Sequence, residues 1–296
     1  MSTDAALRLA FIGFGEAAGA IARGLIETGV CVEMRGYDIK SDSGDDAQIR
    51  RNYEAAGVIG CATLGAAIAD AELIFSLVTA DQAATAARAA APLLRPGQHF
   101  LDCNSCSPGC KRESSATIAA TGARYTDVAV MAPIYPARHR TPLLIAGDHV
   151  AALQPALERL DMNVTPMPGA VGAASTVKML RSVMIKGMEA LSAECFLAAR
   201  SAGIEEQILH SLDKSFPGLG WREGAGYNLE RMRRHGIRRA AEMREVATTL
   251  EELGIGNDMA RATTAWQQRI GDLQIQDDST DLAQQADVLL QRLSRR

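Results

Sequence analysis

The 296-residue chain is poor in aromatic residues, at 4%, and it has no long apolar run. Its best candidate, Leu73 to Ala80, is interrupted by Ser76 and Thr79 and falls far short of the roughly 20 residues that cross a bilayer, so no membrane partner is expected. Positive charge is not in excess either. The formal net charge is −4, whereas a general nucleic-acid binder needs a basic face to neutralise phosphates, and nucleic acid is therefore not an expected partner. Repeats and low-complexity tracts are missing, which argues against solenoids and disordered linkers. With 47% hydrophobic and 22% charged residues, the chain has enough aliphatic material for one or two ordered domains.

The first apolar segment is flanked by Asp4 and Arg8 and runs directly into a glycine loop, which is a strand pattern and not a signal peptide. A cytoplasmic location is expected, with the six cysteines as reduced thiols. Up to about residue 166, strand-like runs alternate with helical ones: Leu7–Gly13, Val30–Asp38, Leu73–Thr79, His99–Cys103, Arg124–Met131, Leu143–Gly147 and Val164–Met167, with helices such as Ala17–Thr28 and Ala83–Leu94. This alternation predicts an α/β Rossmann-type domain, built on a largely parallel sheet, over residues 1–166. Beyond Pro166 and Pro168 the pattern is helical only, with a long helix over Ala170–Ala202 and others over Glu205–Ser215, Asn228–Gly236, Ile237–Leu253 and Asp258–Ile270. Residues 167–296 are therefore expected to form an all-α substrate and dimerisation domain, giving a homodimer.

Gly13-Phe14-Gly15-Glu16-Ala17-Ala18 is a G-x-G-x-x-A pattern between a strand and a helix. Gly13 permits the tight turn, Gly15 lets the backbone approach a pyrophosphate, and Ala18 allows close helix–strand packing. Asp38 ends the next strand, where a carboxylate accepts from the adenosine ribose hydroxyls and repels the extra phosphate of NADP. NAD is the expected cofactor. NADP stays open because Lys40, Arg50 and Arg51 follow closely, although they also read as solvated charges.

Lysine is scarce, with five residues against 26 arginines. Lys178 stands out at the start of the predicted long helix, in Gly169-Ala-Val-Gly172-Ala-Ala-Ser-Thr-Val-Lys178, and shares a helical stripe with Arg181, Ser182 and Ile185. A solvated helix lysine is the competing reading.

At these residues the sequence resembles the β-hydroxyacid dehydrogenase superfamily, which includes 6-phosphogluconate and 3-hydroxyisobutyrate dehydrogenases. The likeness is carried by Ile12–Gly15 with the helix to Gly29, by Leu101-Asp102-Cys103-Asn104-Ser105 with Pro108, by Asp127–Pro133, and by Gly169–Ser182. Arg234–Met243 looks like the C-terminal domain of an incompletely characterised branch of that superfamily. The resemblance implies hydride transfer between a nicotinamide and a carbinol carbon of a small, polar or anionic molecule such as a hydroxy acid. It places Lys178 as the general acid/base, with Ser182 and Arg181 beside it. Such a lysine must be neutral near pH 7, through desolvation or a neighbouring cation such as Arg181. The resemblance also assigns Gly13, Phe14, Gly15, Glu16, Ala17, Asp38, Val78, Thr79 and Asn104 to the cofactor, and Ser105, Met131, Ala132 and Pro133 to the substrate.

The sequence departs from the superfamily pattern at three places. Met131-Ala132-Pro133 stands where many members carry Ser-Gly-Gly, so a hydroxyl and an N–H that anchor a substrate carboxylate are lost. Ser182 replaces the usual Asn four residues after the lysine, and Ile185 replaces the glutamate with which oxidative decarboxylases protonate an enediol. Ile185 thus favours a simple dehydrogenase over a sugar-acid decarboxylase, the lysine itself argues against an imine reductase, and a dinucleotide-binding sensor without turnover stays an alternative that fold does not settle.

Two further features weigh less. Cys103-x-x-Cys106-x-x-x-Cys110 has no fourth ligand nearby, and no metal is expected. Arg231, Arg233, Arg234, His235, Arg238 and Arg239 form the one basic cluster, read either as an ion-paired helix or as an anion pocket in which His235 and Arg239 bind substrate.

Overall fold

The computed structural model describes residues 6–30, 32–43, 47–275 and 279–294; Asp4 and Cys31 lie outside them. The chain divides into two compact units, residues 1–179 and 180–296. That division lies inside a long helix, whereas the boundary read from the sequence, near 166, lies at the end of a strand.

The first unit is built on an eight-stranded sheet in the order β3-β2-β1-β4-β5-β6-β7-β8. Its strands are β1 (Leu7–Ile12), β2 (Val32–Tyr37), β3 (Ile59–Gly60), β4 (Leu73–Ser76), β5 (His99–Asp102), β6 (Arg124–Val130), β7 (Leu143–Ala146) and β8 (Val164–Pro166). The helices of this part are α1 (Glu16–Glu27), α2 (Ala47–Ala55), α3 (Leu64–Ile68), α4 (Ala83–Ala90), α5 (Pro108–Ala119) and α6 (Val150–Arg159). Every adjacent pair is parallel except β6 with β7. Successive side chains of a strand face opposite ways, and both faces here are buried. Leu9, Phe11 and Phe75 join one apolar cluster with Ile21 and Leu25, while Ala10, Ile12 and Ile74 join another with Phe100 and Ile118. A sheet covered on both sides explains why these strands read as continuous apolar runs. The edge strand β3 was absent from the sequence reading, because two exposed residues carry no alternation.

The order reverses beside β1, which pairs with β2 on one side and β4 on the other. Open α/β sheets bind ligands at such a switch point, beyond the carboxyl ends of the strands. Residues following β1, β2, β4 and β5 therefore gather at one edge.

The long helix α7 (Ala173–Ser201) starts three residues later than predicted. Gly169 and Gly172 hold φ angles of +117° and +105°, in the region that L side chains avoid, and the helix begins only after them. The second unit packs the C-terminal part of α7 with α8 (Glu205–Ser215), α9 (Trp221–Glu252), α10 (Asp258–Gly271) and α11 (Leu282–Leu293). Its core includes Phe196, Leu197, Leu209, Leu229, Met232, Ile270, Leu282 and Leu289. The fold class is thus the predicted one, an α/β Rossmann-type sheet followed by an all-α region.

Two expectations need correction. The predicted helices Asn228–Gly236 and Ile237–Leu253 are one continuous helix, α9. Gly236 does not break it, because α10 crosses there: a Cβ on Gly236 would lie 2.5 Å from the Gln267 carbonyl oxygen, and one on Gly271 would lie 2.5 Å from the Ile237 nitrogen. Helix α11 was also unread. Its Asp281 cap accepts from the Gln284 N–H at 2.9 Å, and Leu282, Ala286 and Leu289 bury one stripe. Since neither backbone at the crossing can yield, Gly271→Ala should destabilise the helical unit by about 1–3 kcal/mol, read by thermal unfolding. An unchanged melting temperature would show that α9 and α10 part freely.

Candidate active site

The glycine loop is held from three sides. The Gly13 N–H donates to the Tyr37 carbonyl at 2.8 Å, and Leu77 N–H donates to the Ile12 carbonyl at 2.8 Å. Gly13 has φ +83°, and a Cβ there would meet the Leu77 carbonyl oxygen at 2.7 Å, so neither its conformation nor its packing admits a side chain. Gly15 faces open space instead. This is a cradle that a phosphate fits, at the N-terminus of α1, with exposed Glu16 and half-buried Ala17 following. Phe14 contributes backbone only: its ring is fully buried, 5.8 Å from Phe11 and 4.5 Å from Tyr53 between centroids. Asp38 braces the loop, its carboxylate accepting from Phe14 N–H at 2.8 Å and Lys40 N–H at 3.0 Å.

Buried Asn104 ties the ends of β4 and β5 together. Its carbonyl oxygen accepts from Val78 N–H at 2.7 Å, and its amide donates to Ser76 Oγ at 3.0 Å and to Asp102 Oδ1 at 2.8 Å. Exposed Thr79 follows Val78 and caps the next turn.

Below this edge lies a charged network that the sequence reading missed. Lys111, fully buried in α5, donates to the Asp102 carbonyl at 2.6 Å and to Asp102 Oδ1 at 2.9 Å, and it stands 3.6 Å from Asp127 Oδ1. Burial alone would pull its pKa down, but the carboxylate charges of Asp102 and Asp127 outweigh this and hold it above the ordinary lysine value. Tyr125, whose hydroxyl is pushed well up by burial and by Asp102, donates to Asp102 Oδ2 at 2.7 Å. Asp127 Oδ2 accepts from Gly172 N–H at 3.1 Å, Ser175 N–H at 3.0 Å and Ser175 Oγ at 3.1 Å, which fastens the start of α7. The available signal was a carboxylate at a buried position of two neighbouring apolar strands, each in need of a cation.

Lys178 follows from that anchoring. Its ammonium group donates to Ser105 Oγ at 2.6 Å, the residue after Asn104. Lys178 is half-buried, Arg181 exposed and Ser182 buried. Ser182 Oγ accepts from Lys186 at 3.1 Å. Met131 is half-buried after β6, with Ala132 and Pro133 exposed beside it. The cysteines nearby are protonated thiols: burial pushes Cys103 up to about 12, and hydrogen bonding to Cys110 raises Cys106 further.

In the helical unit the basic cluster is distributed among partners. Arg234 meets Glu230 at 2.9 Å, Arg238 meets Glu242 at 3.4 Å, Arg239 pairs with buried Glu189, and buried Arg233 donates to Gln285 at 3.2 Å. His235 is pulled down to about 4 by burial and then by Arg231, Arg238, Arg239 and Arg234, so near neutral pH it is uncharged.

Residues 8–169 match the NAD binding domain of 6-phosphogluconate dehydrogenase. The chain belongs to that family. Its cofactor class is therefore a nicotinamide dinucleotide. Residues 199–270 match a domain of unknown function (DUF1932). Among solved structures, a conserved hypothetical protein from Sinorhizobium meliloti 1021 is 35% identical, covering 98% of this chain and 97% of that one at a TM-score of 0.75. A conserved protein described as structurally similar to 3-hydroxyacid dehydrogenases is 29% identical, covering 90% of this chain and 97% of that one at a TM-score of 0.69. The 3-hydroxyisobutyrate dehydrogenase of Mycobacterium tuberculosis, with L-serine, shares the fold at 17% identity and a TM-score of 0.72, covering 97% and 99%. Family member and fold neighbour thus agree with the superfamily read from the motifs.

The buried network generates a direct test. Removing one member of a buried charge set leaves the others uncompensated, so Lys111→Met should cost about 3–5 kcal/mol of stability in urea unfolding. A loss below about 1 kcal/mol would show that water reaches Asp102 and Asp127.

Proposed function

We propose that the protein is an NAD(P)-dependent oxidoreductase of CH–OH groups in small hydroxy acids or polyol-like molecules, with Lys178 as general acid/base. The observation that supports it most is the 2.6 Å bond between Lys178 and Ser105, because Ser105 directly follows the asparagine that clamps Val78 at the dinucleotide edge. The glycine cradle at Gly13 and Gly15, with Asp38, holds the dinucleotide, which supplies or accepts the hydride when bound. In oxidation, a neutral Lys178 takes the hydroxyl proton as the C–H bond breaks and the carbonyl forms; in reduction it returns that proton. Ser105 fixes the amine, and Asn104 and Val78 shape the nicotinamide side. Ile185, apolar at the position of the decarboxylases' glutamate, favours dehydrogenation alone.

NAD is the proposed preference. A 2′-phosphate beside Asp38 would sit against a carboxylate that already serves the loop N–H groups. Calorimetry should show NADH binding tighter than NADPH by about 1–3 kcal/mol, on the scale of a charged-group mismatch. Equal or tighter NADPH binding would transfer the recognition to Lys40, Arg50 or Arg51.

Catalysis is tested with a panel of hydroxy acids, sugar acids and aryl diols, read as NADH or NADPH absorbance. On the best panel member, Lys178→Ala should lose about 10²–10⁴-fold in rate while still binding the dinucleotide. Near-wild-type turnover by that variant, with chemistry rate-limiting, would end the assignment.

A further inference from the structure

A surface helix ordinarily turns its charges to water and its apolar side inward. Between residues 180 and 191, within the second unit, α7 does largely the reverse. Lys186 and Glu189 are buried, at 8% and 2% exposure, and pair with Glu242 and Arg239 of α9. The positions open to water are apolar instead: Leu180, Met184, Ile185, Met188 and Leu191 are 41–64% exposed, and exposed Cys195 follows them. Among the described exposed positions from 180 to 198, the charged ones are Arg181 and Glu194, one near each end of the stripe.

From Leu180 to Cys195 the stripe runs for about 22 Å at the helical rise per residue. Monomeric proteins seldom leave so continuous an apolar face in water. A lipid surface suits it poorly: an interfacial helix carries lysine and arginine along a polar face beside the apolar one, whereas the polar side of α7 is paired with α9 and the chain carries a net charge of −4. A second copy suits it well, because the stripe is self-complementary. In a two-fold pair, residue i of one copy meets j of the other and j meets i. Antiparallel helices centred level with Gly187 and Met188 set Arg181 of one copy against Glu194 of the other at both ends, and Met184 against Leu191 between them. A parallel pair would set like charges together. The antiparallel contact has an apolar centre and a charged rim, the usual composition of a stable interface. Glu194 is held at the surface by Trp266, whose Nε1 donates to its carboxylate at 2.7 Å.

We propose that this face of α7 is the contact of a two-fold homodimer, in which the two helices pack antiparallel with Met188 near the axis and Arg181 of each copy beside Glu194 of the other. The homodimer expected from the sequence had no surface assigned to it, and the exposed stripe supplies one. Lys178 need not be catalytic for this face to pair.

The test is sedimentation velocity on the full-length protein at micromolar concentration, where the expected mass is twice 31.5 kDa. Met188→Asp places two carboxylates across the axis and should weaken dimerisation by about 100-fold or more. Its helical circular-dichroism signal should persist, because Met188 is 46% exposed in the single chain. The register is read from charge reversal. Arg181→Glu and Glu194→Arg should each weaken the dimer by about 10-fold at low salt, and the two together, which restore opposite charges, should return it to within about 3-fold of wild type. A wild-type monomer would overturn the proposal, as would a dimer indifferent to Met188→Asp, which pairs through another surface, or single charge reversals whose losses multiply in the double variant. A monomer that binds phosphatidylglycerol vesicles, and loses that binding in Met188→Asp, would give the stripe to a lipid surface instead.

Discussion

The candidate site depends on one lysine that takes no part in the proposed chemistry. Lys111 is buried between Asp102 and Asp127, and each of these carboxylates holds a different part of the site. Asp102 receives Asn104 and Tyr125, so it sets the loop after β5. Asp127 receives the N–H groups of Gly172 and Ser175, so it sets the start of α7. Two carboxylates inside an apolar sheet would repel each other and seek water; a single cation between them makes both available as rigid acceptors. Ser105 and Lys178 meet because the loop and the helix are each fastened to the same buried charge.

The glycine loop shows the same logic on a smaller scale. Asp38 is placed by β2, yet its carboxylate reaches back to the Phe14 N–H, and Phe14 in turn buries its ring among Phe11 and Tyr53. The ring anchors the loop from beneath while Gly15 leaves its upper side open. A rigid support under an exposed backbone is what a pyrophosphate site requires. The loop after β6 lacks two donors of the familiar pattern, since Met131 has no hydroxyl and Pro133 no N–H.

The helical unit is organised by close approach and by buried charge together. Gly236 and Gly271 let α9 and α10 cross with backbones in contact, which fixes the neighbouring turns of α9. Arg239 and Glu242, on those turns, then reach Glu189 and Lys186 on α7. Read as a sequence, the same arginines form a basic cluster; in the structure their charge is divided among individual carboxylates, and His235 is left neutral among them.

Much of this was legible in the sequence for a physical reason: strand alternation, glycine spacing and capping are local properties of the chain. The doubly covered sheet, the turn at Gly13, the acid at 38 and the lysine that opens α7 all follow from residues within one or two turns of each other. Tertiary structure decided what no local pattern encodes. Gly236 looked like a helix stop because its partner at Gly271 is distant in the chain, and only their contact explains the glycine. Lys111 carries no motif, since its meaning comes from Asp102 and Asp127 on two separate strands that pair in register. The pairing of Lys186 with Glu242 likewise depends on helix packing, which brings α7 and α9 together. Sequence determined the alternation of strands and helices and the glycine turn after β1; long-range packing determined where α9 runs unbroken and which charges are buried together, and so which side chains are held still.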